Sequence, residues 1–407
     1  MANGANEVHK YLKSELENYI KSQYFGKSPL LLSTVAGKLD DEGELYQQPY
    51  IESSPAYVSV PNGIDNANIP EWMRTFFKKL ADANLGVYTA PFNHKRNALK
   101  PAIEGKDLFV ATGTGSGKTE CFMWPMMAKL TSEARNTPET WKQRGVRVVV
   151  MYPMNALVSD QISRLRRLMG DEQRKFVNIF RETAGGNARR PQFGMYTGRT
   201  PYPGSASDKH QDRALADTLE RMTQPDSDED KDYYATLVKE GKIPAKNNIA
   251  DFIDELREGH HIPNSEDAEL ITRFEMQNCC PDILITNYSM LEYMLFRPRE
   301  SSIWDSTKKW LQEDPNNKLL FIIDEAHMYR GSAGGEVSLL IRRLFHRLDI
   351  GRDRVQFILT TASMPDATED DKEAVRNFAK ALTAADAYSF TYLTGDREII
   401  DMRNGIA

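Results

Sequence analysis

DLFVATGTGSGKTE, residues 107–120, opens on an apolar run, passes through three glycines and closes on a lysine, a threonine and an acid. The run DLFVAT (107–112) carries large apolar side chains on both parities, the pattern of a strand buried on both faces. Gly113, Gly115 and Gly117 let the backbone turn tightly, so that consecutive amide N–H groups point inward and can ring a phosphate. The helix expected to follow adds the partial positive charge of its N-terminus. In this frame Thr114, Gly115, Ser116 and Gly117 cradle the anion, Lys118 reaches the outer phosphates, and Thr119 offers a hydroxyl to Mg²⁺. The stretch follows G-x-x-x-x-G-K-T with one departure. Its first position is Thr112, which a negative φ tolerates.

Outward from this loop, short apolar runs recur: VRVVVMY (146–152), QFGMY (192–196), DILIT (282–286), KLLFIID (318–324) and VQFILTT (355–361). Helical stretches lie between most of them, at 117–131, 155–169, 334–348 and 369–383. This alternation predicts an α/β fold with a mostly parallel, doubly wound sheet. Residues 200–280 break the rhythm and read as an insertion without a core strand. Before the sheet, 5–24 reads as an amphipathic helix, followed by Pro-containing extended pieces and a helical stretch near 70–83. The expected organisation is an N-terminal accessory segment (1–85), the main domain (86–390) and the start of a linker (391–407).

Composition narrows the function classes. With 407 residues, 40% hydrophobic and 27% charged, the chain can bury a sizeable core. A formal net charge of −6 excludes a generally basic nucleic-acid binder but leaves room for a local basic face. Such a face is legible between 164 and 199, where nine Arg/Lys stand against three acids, a local +6 suited to tracking single-stranded nucleic acid. Three cysteines and no C-x-x-C exclude a disulfide scaffold and a four-cysteine zinc site, and Cys279-Cys280 reads as structural. No signal peptide and no apolar run of 18 residues is present, so a cytoplasmic protein with no membrane partner is expected.

The run KLLFIIDEAH ends in paired carboxylates, Asp324 and Glu325, which a strand terminus would place at the carboxyl edge of the sheet beside the glycine loop. There Asp324 would hold Mg²⁺, Glu325 would polarise a water attacking the γ-phosphate, and His327 would link the site to its surroundings. GTGSGKT, DEAH and TAS (361–363) together resemble the first RecA-like domain of a superfamily 2 DEAD/DEAH-box helicase. The resemblance implies a RecA-like P-loop NTPase fold, ATP with Mg²⁺, and a helicase or translocase moving on single-stranded nucleic acid, DNA preferred. YPMNALVSDQ (152–161), TGR (197–199) and TNYSML (286–291) are similar to the family's strand-contacting motifs, which implies contacts from Asn155, Ala156, Thr197, Arg199, Thr286 and Asn287. Thr361, Ala362 and Ser363 would couple ATP state to strand movement. Residues 324–344 are most similar to YprA-like helicases and to large helicases of bacterial phage-defence islands, implying a place in antiviral defence.

Two departures accompany the resemblance. PFNHKRNAL (91–99) stands where the family reads adenine, with Phe92 and Tyr88 available to stack on a base, but its glutamine position is Lys95. The family's second RecA-like domain, with its transition-state arginine, has no counterpart before Ala407. The expectation is therefore half of a motor, completed by a second RecA-like domain or a partner subunit. The alternative is a nucleotide-binding switch or scaffold with little hydrolysis of its own.

Overall fold

The computed structural model describes residues 4–26, 28–41, 43, 45–46, 56–113, 115–171, 173–202, 209–223, 228–362, 368–385 and 389–398. Two units separate: Met1–Ala56 with Ile399–Ala407, and Tyr57–Glu398. The described part of the smaller unit holds the helices Ala5–Ile20 and Pro29–Leu39, with Lys13 Nζ paired to Asp40.

In the larger unit eight strands form one sheet: β1 (Asp107–Ala111), β2 (Val148–Tyr152), β3 (Phe193–Tyr196), β4 (Glu269–Leu270), β5 (Ile283–Asn287), β6 (Leu319–Ile323), β7 (Val355–Thr361) and β8 (Phe390–Thr394). Their order is β4-β3-β5-β2-β6-β7-β1-β8, and every pairing is parallel. This is the α/β, doubly wound architecture expected. The pleat explains the unbroken apolar runs. In β2, Val148 and Val150 enter the core on one face, and Val149 and Met151 enter the core on the other. Helices cover both faces, Glu120–Asn136 and Asn155–Met169 on the first, Ser332–Leu348 and Glu369–Thr383 on the second.

The expected boundaries shift in three places. Residues 57–85 belong to the larger unit, because Met73, Phe76, Phe77 and Leu80 of the helix Glu71–Asp82 are buried in its first core. The interval 200–280 contributes a short edge strand, β4, which pairs with β3. Residues 391–394, expected to open a linker, are instead part of β8, which bonds to β1 from Asp107↔Phe390 to Ala111↔Thr394.

The basic track at 164–199 is largely consumed by the fold itself. Arg166 donates to Glu269 at 2.7 Å, Arg181 to Glu266 at 2.7 Å, and Arg189 to Asp282 at 2.7 Å through both amino groups. Arg174 also pairs with Glu266, and Arg190, 3% exposed, donates to the carbonyl oxygen of Glu266. These guanidiniums fasten segment 266–282 to the body of the domain, so the local charge surplus counts tethers and not a continuous phosphate path.

Candidate functional site

The order β6-β7-β1 places one strand between the strand leading into the glycine loop and the strand ending in the acidic pair. All three run parallel, so their carboxyl ends share one edge, and β7 touches both sides. The Thr112 N–H donates to the Thr361 carbonyl at 3.2 Å, while the Thr360 hydroxyl donates to Asp324.

Gly115 (φ +77°) and Gly117 (φ +73°) occupy the left-handed region where a side chain is strained, which is why the loop needs glycine there. Thr112 has no positive φ, and its hydroxyl lies 2.7 Å from Ser116 Oγ, tying the start of the loop to its turn. Two anchors come from outside the motif. The Gly113 N–H donates to the Tyr57 hydroxyl at 3.0 Å, and His94 Nε2 lies 3.0 Å from the Ser116 carbonyl. A carbonyl only accepts, so Nε2 carries the proton. Burial pushes the His94 pKa down and keeps the ring neutral.

Lys118 Nζ reaches across the edge to Glu325 Oε1 at 3.1 Å. Glu325 sits at φ +50°, a left-handed conformation costing about 1–3 kcal/mol for such a residue. Its second oxygen lies 3.2 Å from His327 Nδ1, which is itself 3.1 Å from Thr361 Oγ1. Lys118, Glu325, His327 and Thr361 thus follow one another from the loop to β7, with His327 Nδ1 hydrogen-bonded to Thr361 and merely close to Glu325 Oε2. Asp324, 8% exposed, accepts from Thr360 and from the Glu325 N–H at 3.0 Å. Burial, reinforced by the neighbouring Glu325, raises its pKa above the usual carboxylate range.

The donors suit Mg²⁺. Thr119 and Asp324 offer hard oxygens, and among the described residues no cluster of three or more His, Cys, Asp or Glu could hold a metal. An ion carried by one carboxylate, a hydroxyl and ligand phosphates needs no such cluster. Because Asp324 takes up a proton above the ordinary carboxylate range, Mg²⁺-dependent nucleotide binding should weaken as pH falls through that raised value. Asp324→Asn should bind weakly at every pH. Magnesium titrations at stepped pH check this, and full wild-type affinity maintained down to the ordinary carboxylate range would contradict it. The sign for stability is opposite. A raised carboxyl favours folding while protonated, and that contribution is lost as pH rises through its folded value.

At the other half of the edge, β2 and β5 end in register, Tyr152 opposite Asn287. Asn287 Nδ2 donates to Asn155 Oδ1 at 2.6 Å, and Asn287 Oδ1 caps the helix Tyr288–Phe296 by accepting from the Met290 N–H at 2.8 Å. Ala156 and the Arg199 side chain are exposed. Thr286 and Thr197 are buried and face inward. The Thr286 hydroxyl donates to the Tyr196 carbonyl at 2.7 Å, and the Thr197 hydroxyl accepts from the Arg199 N–H at 3.2 Å. Ala362 follows β7, while Thr114 and Ser363 lie outside the described residues.

Lys95 is buried beside the loop, 3.2 Å from Glu120 Oε2, with the rings of Phe92 and Tyr88 at 4.9 and 5.0 Å. Sequence reasoning missed Glu120, Tyr57, His94 and Thr360. For Glu120 a signal existed, an acid directly after G-K-T paired with a lysine in place of glutamine. Tyr57 and Thr360 had none.

The family model described as DEAD/DEAH box helicase matches residues 92–200. Druantia protein DruE of Escherichia coli (strain UMEA 4076-1) is 38% identical over 97% of this chain, and the alignment spans 22% of DruE. The DEAD-box ATP-dependent RNA helicase 3 of Helianthus annuus is 36% identical over 69 residues, 17% of this chain and 30% of that protein. Among solved structures, the DUF1998 helicase MrfA bound to DNA superposes with a TM-score of 0.44 at 18% identity, covering 85% of this chain and 32% of that one. The chain therefore spans about a fifth of DruE's length. A phosphate loop and an acidic pair meet at one sheet edge, and residues 92–200, which include that loop, match the DEAD/DEAH box helicase model.

Proposed function

We propose that this chain is the ATP-binding half of an ATP-dependent helicase or translocase acting on single-stranded nucleic acid, DNA preferred. The observation that carries the reading is the contact of Lys118 with Glu325 at 3.1 Å, beside a buried Asp324. It sets a phosphate-binding cation against the group that would polarise the attacking water. Mg²⁺ bound through Thr119 and Asp324 would neutralise charge developing on the phosphates. The chain's own residues do the rest. Lys118 turns from Glu325 toward the β- and γ-phosphates, freeing the carboxylate, and His327 holds that carboxylate relative to Thr361 on β7.

The strand would cross the ends of β2, β3 and β5. Asn155, Ala156 and Asn287 lie on the helix starts there, and Arg199 is exposed after β3. Thr286 and Thr197 would shape the track through their internal hydrogen bonds. A second RecA-like domain, in the remainder of a longer protein or in a partner subunit, would supply an arginine to the transition state, worth about 10³–10⁵ in rate in related systems. A role in antiviral defence is proposed on the similarity to DruE and to defence-island helicases.

ATP turnover with and without single-stranded DNA or RNA, before and after addition of the separately expressed second domain, tests the proposal. Stimulation of several hundred-fold or more by both together is expected, larger with DNA. Persistent inactivity despite nucleotide binding would instead support a nucleotide-binding switch or scaffold.

A further inference from the structure

The amino edge of the sheet, opposite the edge that carries the loop and the acidic pair, holds a cavity of about 580 Å³. The helix Asn155–Met169 leaves the carboxyl end of β2 and returns alongside the sheet, so Arg166 and Arg167 lie roughly 17 Å along it from Asn155. Arg190 precedes β3, and the Ala245 carbonyl accepts from the N–H groups of Ala268 and Glu269 at the start of β4. The walls are closely packed. A Cβ added at Gly241 (φ +68°) would strike the Ser163 carbonyl, and one at Gly170 would strike Ala245. Segment 241–245 is therefore seated directly on the helix, and the cavity is preformed.

Seven Arg and Lys side chains line this cavity against one acid, Asp171. Three of the seven are neutralised by carboxylates: Arg166 by Glu269, Arg174 by Glu266, and Lys246 by Asp267 and Glu275. The other four, Arg167, Lys175, Arg190 and Lys239, have no carboxylate within ion-pair distance among the described residues. Asp171 is engaged elsewhere, its two oxygens accepting from the Lys175 and Phe176 N–H groups at 2.6 and 3.0 Å. Arg190 is the most constrained of the four. It is 3% exposed, its amino groups donate to the Glu266 and Met169 carbonyls, and its Nε has no partner. Carbonyls satisfy N–H groups without neutralising a guanidinium. Burial, followed by the like charge of Arg174, pulls the Arg190 pKa down to about 10. A buried cation without a counter-charge is costly, and an anion in the cavity would supply one.

We infer that this cavity binds a phosphorylated small molecule of nucleotide size, with Arg190 donating to a phosphate from the buried wall and Arg167, Lys175 and Lys239 enclosing the charge around it. The volume suits such a ligand. Phosphate offers several acceptor oxygens to cations converging from separate segments, and guanidinium groups match its geometry. Tyr234, Val238 and Ile249 line the cavity for the remainder of the molecule. A nucleic-acid strand fits less well, because a backbone phosphate would have to leave the surface to reach a side chain so deeply buried.

Calorimetric titration of the full chain carrying Lys118→Ala, which removes the loop's own phosphate cation, tests this with adenosine 3′,5′-bisphosphate, citrate and a single-stranded oligothymidylate as probes. The bisphosphate should bind, and adding Lys175→Gln and Lys239→Gln should weaken it about tenfold through lost charge-assisted hydrogen bonds. Both side chains are exposed, so the melting temperature should stay in place and the loss cannot be a failure to fold. Arg190→Lys, which keeps the charge without the planar fork, should also weaken binding about tenfold. Absence of bisphosphate binding overturns the inference, as does unchanged affinity in the double lysine variant. Tighter binding of citrate would make the occupant a polycarboxylate and overturn it too. So would displacement of the bisphosphate by the oligothymidylate, which would make the cavity part of a strand path.

Discussion

Lys118→Ala should weaken ATP binding by about 10²- to 10⁴-fold while leaving the fold in place. The ammonium is the one cation aimed at the acidic pair from the loop, 3.1 Å from Glu325. Hydrogen bonds to charged groups contribute about 1.5–3 kcal/mol each, and a lysine bridging two phosphates makes two of them. Its removal also leaves Asp324 and Glu325 facing a triphosphate with one positive charge fewer between them. Stability should change little, because the Lys118–Glu325 pair is partly open to solvent, with side chains 11% and 23% exposed, and such pairs contribute about 1 kcal/mol or less. Calorimetric titration with ATP–Mg²⁺, alongside a thermal melt, separates the two effects. Affinity within a few-fold of the unmodified chain would remove Lys118 from the phosphate site.

The elements that position this site were legible because burial constrains them on both sides. Six strands announced themselves as apolar runs, since a strand covered by helices on both faces has no polar parity. Helix bounds at Asn155–Met169 and Glu369–Thr383 coincide with the expected 155–169 and 369–383, where amphipathic spacing is clear. The edge strands were not legible, for the converse reason. In β8 only Phe390 is buried, and its other residues are half-buried or exposed, so FTYLT carries no sustained apolar signal. β4 is two residues long and held as much by the Arg166–Glu269 pair as by its ladder.

The site divides in the same way. Residues whose chemistry is written in a short local pattern, Gly115 to Thr119 and Asp324 to His327, were readable, and the structure brings Lys118 and Glu325 into contact. Partners supplied by remote segments were not. Tyr57 bonds Gly113 across 56 positions, and Thr360 reaches Asp324 across 36. The arginine-rich stretch misled for a related reason. Counting charges cannot distinguish a guanidinium facing solvent from one facing Glu266, Glu269 or Asp282, and those acids lie 85, 103 and 93 positions away from Arg181, Arg166 and Arg189.

Glu325→Gln should separate binding from turnover. The amide is nearly isosteric, and a glutamine at φ +50° meets the same backbone constraint as the glutamate, so the turn between β6 and the following 3₁₀ segment should survive. What disappears is charge. Without it Glu325 can no longer polarise a water, and turnover should fall by about 10²–10⁴, the range that a positioned general base contributes. Binding should hold or tighten a few-fold, because in the empty site Lys118 is engaged with the very carboxylate that the substitution neutralises, and ATP must displace that contact. The two effects have opposite signs, so a general loss of folding cannot imitate them. Steady-state turnover with single-stranded DNA and an added second RecA-like domain, measured beside equilibrium ATP affinity, resolves them. Turnover kept near the unmodified rate would take water activation away from Glu325. Weakened affinity would mean that the contact with Lys118 supports the loop's binding shape instead of competing with the phosphates.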